Sequence, residues 1–145
     1  MGKVCGQVAV VTGAGSGEAI SKTLSDNEIK LALLGRTEEK LTRVQREIES
    51  MGGEASVFIC DVSDMARVES VRAEVLERLG QPSILVNNAG LHCELTPIAE
   101  TTPRSWIQTM NVNVIGPYLV TRAFLPGMLE KRWGAGSVVC FAGCR

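Results

Sequence analysis

A chain of 145 residues is long enough for a single domain with a real hydrophobic core, expected over residues 1–145. Its 15 basic and 16 acidic residues leave a net charge of −1 and include no basic run, which argues against nucleic acid as a partner. The five cysteines (Cys5, Cys60, Cys93, Cys140 and Cys144) are scattered without CxxC spacing beside a single histidine, His92, so neither a metal site nor a disulfide framework is expected.

The N-terminal apolar run is too short for a signal peptide, and no segment is long and apolar enough to cross a bilayer. A cytoplasmic, reducing compartment and no membrane partner are the expectation. Residues 7–13, QVAVVTG, form a continuous β-branched run, as a strand buried on both faces requires. A helix is expected over residues 17–25, and IKLALLG, residues 29–35, reads as the second buried strand. Thr37 can cap the next helix, in which Leu41, Val44 and Ile48 recur at helical spacing until Gly52 and Gly53 stop it. ASVFICD, residues 55–61, is the third strand. Ser63 can cap a helix with Val68, Val71 and Val75 on one face, ended by Gly80 and Pro82. SILVNNAG, residues 83–90, is the fourth strand. Thr102 and Pro103 then start a long helical stretch to residue 131, broken near Asn111 and Asn113 and bent at Gly116 and Pro117. GSVVCFAG, residues 136–143, is the fifth strand.

Strands alternating with helices predict an α/β three-layer sandwich around a parallel sheet, with ligands at the carboxyl ends of the strands. Function is expected in the loops TGAGSG, GRTEE, CDVSD and NNAG, which come after the first four strands. Glycines between a strand and a helix let backbone N–H groups approach a phosphate at the helix N-terminus, although the same residues can serve only as a turn. Arg36, just past the second strand, stands where a nucleotide-binding unit meets the adenosine ribose; an acid there favours a free 2′-hydroxyl and an arginine a 2′-phosphate. Asp61 can bond an adenine edge or simply close a turn.

These segments resemble the short-chain dehydrogenase/reductase family. TGAGSG is similar to its Thr-Gly-x-x-x-Gly-x-Gly segment, CDVSD to its adenine-contacting segment and NNAG to its Asn-Asn-Ala-Gly signature. Residues 102–128, TPRSWIQTMNVNVIGPYLVTRAFLPGM, resemble the region carrying its catalytic asparagine. The resemblance implies a Rossmann-type sheet in the order 3-2-1-4-5, incomplete on the C-terminal side. It further implies hydride transfer between a carbonyl and an alcohol, with NADP as cofactor and NAD less favoured. By motif position Gly13, Gly15, Ser16 and Gly17 would face the diphosphate, Arg36 would select NADP, and Asp61 and Val62 would sit at adenine. Asn88, Ala89 and Gly90 would line the adenosine and nicotinamide side, and Asn113 would hold a water in the proton relay.

The sequence departs from the family pattern twice. Gly17 stands directly before Glu18, Ala19 and Ile20, as if one apolar residue and one glycine were missing; alternatively Ala19 takes the place of the last glycine and the turn at SDNEIK is shortened. Two residues lost inside a helix would rotate its remaining turns by about 200°, carrying Ile20 and Leu24 off the sheet unless the loop absorbs the change. A smaller phosphate site and weakened cofactor binding are expected. The family also places a serine after the fifth strand and a Tyr-x-x-x-Lys beyond it; neither occurs in these 145 residues. Tyr118 and Arg122 imitate that spacing upstream, but arginine does not replace lysine in a tuned site, and Tyr118 is expected to pack.

Two functions are compatible with these features. One is an NADP-dependent oxidoreductase acting on a small carbonyl or alcohol in a complete form. The other is a non-catalytic truncated isoform serving as a nucleotide-binding or interaction module. Self-association, or association with a full-length relative, is expected from the apolar edge of SVVCF and from exposure of Val114, Leu119, Phe124 and Leu125 in some combination. Trp106, Trp133, Met110 and Met128 are expected in packing roles, and His92 as a solvated loop residue.

Overall fold

The computed structural model describes residues 6–92 and 96–130. The fifth strand expected over 136–143, with Trp133, Cys5, Cys93, Cys140 and Cys144, lies outside them. Four strands, β1 (Val8–Thr12), β2 (Lys30–Gly35), β3 (Ala55–Ile59) and β4 (Ile84–Val86), form one parallel sheet in the order β3-β2-β1-β4. The central strand pairs Val10 with Ala32 on one side and with Leu85 on the other.

The pleat sends alternate residues to opposite faces, and each face has its own core. Val10, Leu34, Phe58 and Leu85 join Val68, Val71 and Val75 of α3 (Met65–Leu79) and Val120, Phe124 and Met128 of α5 (Gly116–Glu130). Ala9, Val11, Leu31 and Leu33 join Leu41, Val44 and Ile48 of α2 (Glu38–Ser50), with Ile20 and Leu24 of α1 (Glu18–Ser25) packed alongside. Each of the larger fully buried side chains contributes about 1.5–3 kcal/mol relative to exposure. Ile20 and Leu24 therefore stay on the sheet, so the short glycine segment is accommodated before α1 begins. The α1–β2 turn also carries a constraint, since Glu28 adopts φ +59°, a left-handed conformation uncommon for a side-chain-bearing residue.

Helix starts agree with the sequence, with one correction. Thr102 caps α4 (Pro103–Met110), accepting from Ser105 N at 3.2 Å, with Pro103 at the first helical position. Thr37 occupies the N-cap of α2 without a side-chain cap bond. The cap of α3 is Asp64, which accepts from Arg67 N at 3.1 Å, rather than Ser63. Ser63 instead holds Asp61, its N–H and hydroxyl both donating to Oδ1 at 2.9 and 2.6 Å.

The expected break in the long helical stretch is a π-helical turn, Asn111–Ile115, between α4 and α5. Gly116 comes next, where a Cβ would lie 2.6 Å from Val62 Cγ2, so only glycine lets this turn approach the loop after β3. Met128 is buried, as expected, but Met110 and Trp106 are not: Trp106 is 49% exposed. Tyr118, expected to pack, is 60% exposed; of Val114, Leu119, Phe124 and Leu125, expected exposed in some combination, Val114 and Leu125 are exposed and Phe124 is buried. For Tyr118 and Phe124 the phase of α5 after the π turn decides which face meets α3 and the sheet. Among the described residues no helix is long and apolar enough to cross a membrane.

Candidate cofactor site

The strand order reverses between β1 and β4, and by the general rule for parallel sheets the ligand crevice lies at their carboxyl ends there. The two loops at this point are knotted together. Thr12 Oγ1 accepts from Asn88 N and Ala89 N, each at 3.0 Å, and donates to Val86 O at 3.4 Å. Asn88 Nδ2 donates back to Thr12 O at 3.2 Å and Gly13 O at 3.0 Å. Two glycines make this closeness possible. Gly13 has φ +62°, and a Cβ on it would lie 2.7 Å from Ala89 Cα; a Cβ on Gly17 would lie 2.5 Å from Asn88 Nδ2. Thr12 was absent from the sequence-derived site; its place at the end of the first strand, directly before the glycines, was the available signal.

The glycine loop is a tight turn. Ser16 N and Gly17 N both donate to Gly13 O, at 2.9 and 3.0 Å, and Ala14 N donates to Leu34 O at 3.1 Å. The first-turn N–H groups of Glu18 and Ala19, which a helix leaves without intrahelical acceptors, remain for an anion. Glu18 brings a carboxylate to the same turn. Lys22 at 2.6 Å holds its pKa below the ordinary carboxylate range, aided by Arg43 of α2 at 3.2 Å.

Arg36 is exposed one residue past β2. Asp61, one strand further along the sheet's carboxyl edge, is held below its ordinary 3.8, first by the Ser63 hydroxyl, with the Ser63 N–H and the Arg36 charge adding and partial burial opposing. Val62 is buried against Gly116, so only its backbone could face a ligand. Ala89 is half-buried and Gly90 exposed beside the crevice.

Asn113, in the π turn, is tied to the segment after NNAG: its Oδ1 accepts from Leu91 N at 2.7 Å and its Nδ2 donates to Leu91 O at 2.8 Å. Asn87 Nδ2 donates to Thr121 Oγ1 at 3.1 Å, while its buried Oδ1 has no partner among the described residues. Tyr118 is exposed, and Arg122 faces Glu69 of α3 at 3.6 Å. Burial pushes the Cys60 thiol up to about 11, which keeps it protonated and unreactive. Among the described residues no group of three His, Cys, Asp or Glu side chains could hold a metal ion.

A family model described as short chain dehydrogenase matches residues 7–142, spanning every element of this site. The chain belongs to the short-chain dehydrogenase/reductase family. A short chain dehydrogenase of Pseudocercospora fijiensis is 34% identical over 138 residues, 92% of this chain and 44% of that protein. A metagenomic short-chain oxidoreductase solved in complex with NADP superposes with a TM-score of 0.86 at 38% identity, covering 92% of this chain and 61% of the other. An NAD+-bound xylitol dehydrogenase superposes with a TM-score of 0.87 at 28% identity, covering 92% and 52%. The chain thus spans about half the length of the family members it matches. Its doubly wound sheet is the Rossmann-type architecture of this family, and neighbours on the same fold bind either NADP or NAD.

Proposed function

We propose that this chain carries the cofactor-binding part of an NADP-dependent oxidoreductase acting on a small carbonyl or alcohol. The observation that supports it is the Thr12–Asn88 knot, which sets the glycine loop and NNAG against each other at the strand-order switch, with Arg36 as the charged residue just past β2. The residues fit a dinucleotide. Gly13 and Gly17 leave no room for a Cβ on the loop's protein side, the first turn of α1 offers N–H groups to a diphosphate, and Arg36 suits a 2′-phosphate. The bound cofactor would supply or accept the hydride. Asn88, Ala89 and Gly90 would line its path toward the nicotinamide, Asp61 would meet the adenine edge, and Asn113 would order the relay side of the cleft.

A second reading is a nucleotide-binding or interaction module without turnover, able to associate with itself or with a full-length relative. It is favoured by the exposed apolar residues Trp106, Met110, Val114 and Tyr118, which suit an interaction surface. Titration of the purified chain with NADP and NAD, then an NADPH-oxidation assay over a panel of small carbonyls, tests both. Binding that prefers NADP, reversed or erased by Arg36→Asp, supports the cofactor assignment; equal binding of the two, unmoved by that change, counts against it. NADP binding without oxidation supports the second reading, and sustained oxidation abolished by Asn113→Ala excludes it.

A further inference from the structure

The shortened glycine loop is seated on the start of α2, and two glycines set the approach. A Cβ on Gly35, at the end of β2, would meet Leu41 Cδ2 at 3.2 Å; a Cβ on Gly15 would meet Lys40 Cβ at 2.9 Å, with Lys40 Cδ and Cγ at 3.6 and 3.9 Å. The Ala14 N–H···O bond to Leu34 ties the same loop to β2 at 3.1 Å, two residues before Arg36. The aliphatic stem of Lys40 therefore runs along the glycine loop, as long cationic side chains do when the charged end stays in water.

The charges around it are already sorted. Of the cations along α2, Arg43 is engaged by Glu18 at 3.2 Å, and Lys22 of α1 bridges Glu18 and Glu47 at 2.6 and 2.7 Å. Lys40 and Arg36 take part in no ion pair among the described residues, although Glu38 and Glu39 flank them in the first turn of α2, and Asp61 lies within electrostatic reach of Arg36.

We infer that Lys40 is a second specificity-determining cation, which with Arg36 clamps the 2′-phosphate of NADP between the glycine loop and the first turn of α2. Its role rests on the cofactor reading above. Two cations from one β-strand end and the helix after it recognise a dianionic monoester in a way that NAD, with a free 2′-hydroxyl, cannot exploit. Placing Lys40 against a glycine fixes the stem, so less side-chain freedom is lost on binding.

The test is calorimetric titration of the full chain with NADP, NAD and 2′,5′-ADP, using Lys40→Met, Lys40→Arg, Arg36→Ala and the wild type. Lys40→Met keeps the stem and removes the charge; it is expected to weaken NADP and 2′,5′-ADP by about tenfold and to leave NAD within about twofold. Lys40→Arg is expected to retain the preference. Unchanged NADP affinity in Lys40→Met, with Arg36→Ala still harmful, overturns the role of Lys40 while leaving NADP as cofactor. Equal losses for NAD and NADP also overturn it, placing the ammonium on the diphosphate. A wild-type chain that binds neither NADP nor 2′,5′-ADP overturns the cofactor reading, and Lys40's role with it.

Discussion

The carboxamide of Asn113 grips the backbone of Leu91 at both ends, accepting from its N–H at 2.7 Å and donating to its carbonyl at 2.8 Å. This two-point contact joins the π turn to the segment after NNAG. A side chain so engaged acts in the cleft through the backbone it fixes. Asn113→Asp keeps an acceptor for Leu91 N and loses the donor to Leu91 O, whereas Asn113→Ala loses both. Chemical denaturation is expected to show a loss of about 1–3 kcal/mol for the alanine variant and a smaller loss for aspartate. Equal stability of both with the wild type would show that this bridge is not structural.

The tight glycine loop invites a gain-of-function test. Inserting an apolar residue and a glycine between Gly17 and Glu18 should lengthen the turn and release the Ser16 and Gly17 N–H groups from Gly13 O. NADP affinity is then expected to rise severalfold. Gly17→Ala should act in the opposite direction, because its Cβ would fall 2.5 Å from Asn88 Nδ2 and push that amide off Thr12 and Gly13. A destabilisation of about 1–3 kcal/mol is expected, read by thermal unfolding. An alanine variant with unaltered melting and binding would contradict the tight fit.

Asp61 makes stability depend on pH in a defined direction. Its folded pKa lies below the ordinary 3.8, mainly because the Ser63 hydroxyl stabilises the carboxylate. Its contribution is therefore complete above the unfolded-state value of 3.8 and is lost as pH falls through the lower folded value. Urea unfolding at a series of pH values should show the wild type more stable than Asp61→Asn near neutrality, with the gap closing below pH 3.8. A gap that does not change with pH would remove the ionised carboxylate as its source.

Trp106, Met110, Val114 and Tyr118 recur every fourth residue along α4, the π turn and α5, and all four are exposed among the described residues. Together with Leu125 and Leu129 they make an apolar strip, which favours association. Light scattering across a dilution series is expected to show the average mass rising with concentration, and Val114→Lys with Trp106→Glu to lower it. A concentrated solution that scatters as a monomer would rule out self-association through this strip.

Much of the architecture was readable from residue order. Continuous β-branched runs such as QVAVVT can bury both faces only inside a parallel sheet, and the alternation of Ala9, Val10 and Val11 between two cores is a consequence of that burial. Leu41, Val44 and Ile48, and Val68, Val71 and Val75, announced their helix faces by spacing alone. The four loop motifs likewise marked the carboxyl edge of the sheet, because in a parallel sheet every strand-to-helix loop lies on that edge.

Other features depended on three-dimensional contact. Neither Thr12 nor Leu91 carries a local signal for its partner, since Asn88 and Asn113 are far away in sequence and meet them only once β1 pairs with β4 and the π turn swings back over the crevice. Tyr118 is exposed where packing was expected because a five-residue π turn stands before it and shifts the helical phase, and a period of 3.6 read along the sequence cannot register such a shift. The shortened glycine segment was visible in the sequence, but its consequence was not. Whether α1 rotates or the loop contracts depends on burial of Ile20 and Leu24 against the sheet, and that apolar contact, formed only in the folded chain, keeps the helix in place and leaves the loop to tighten.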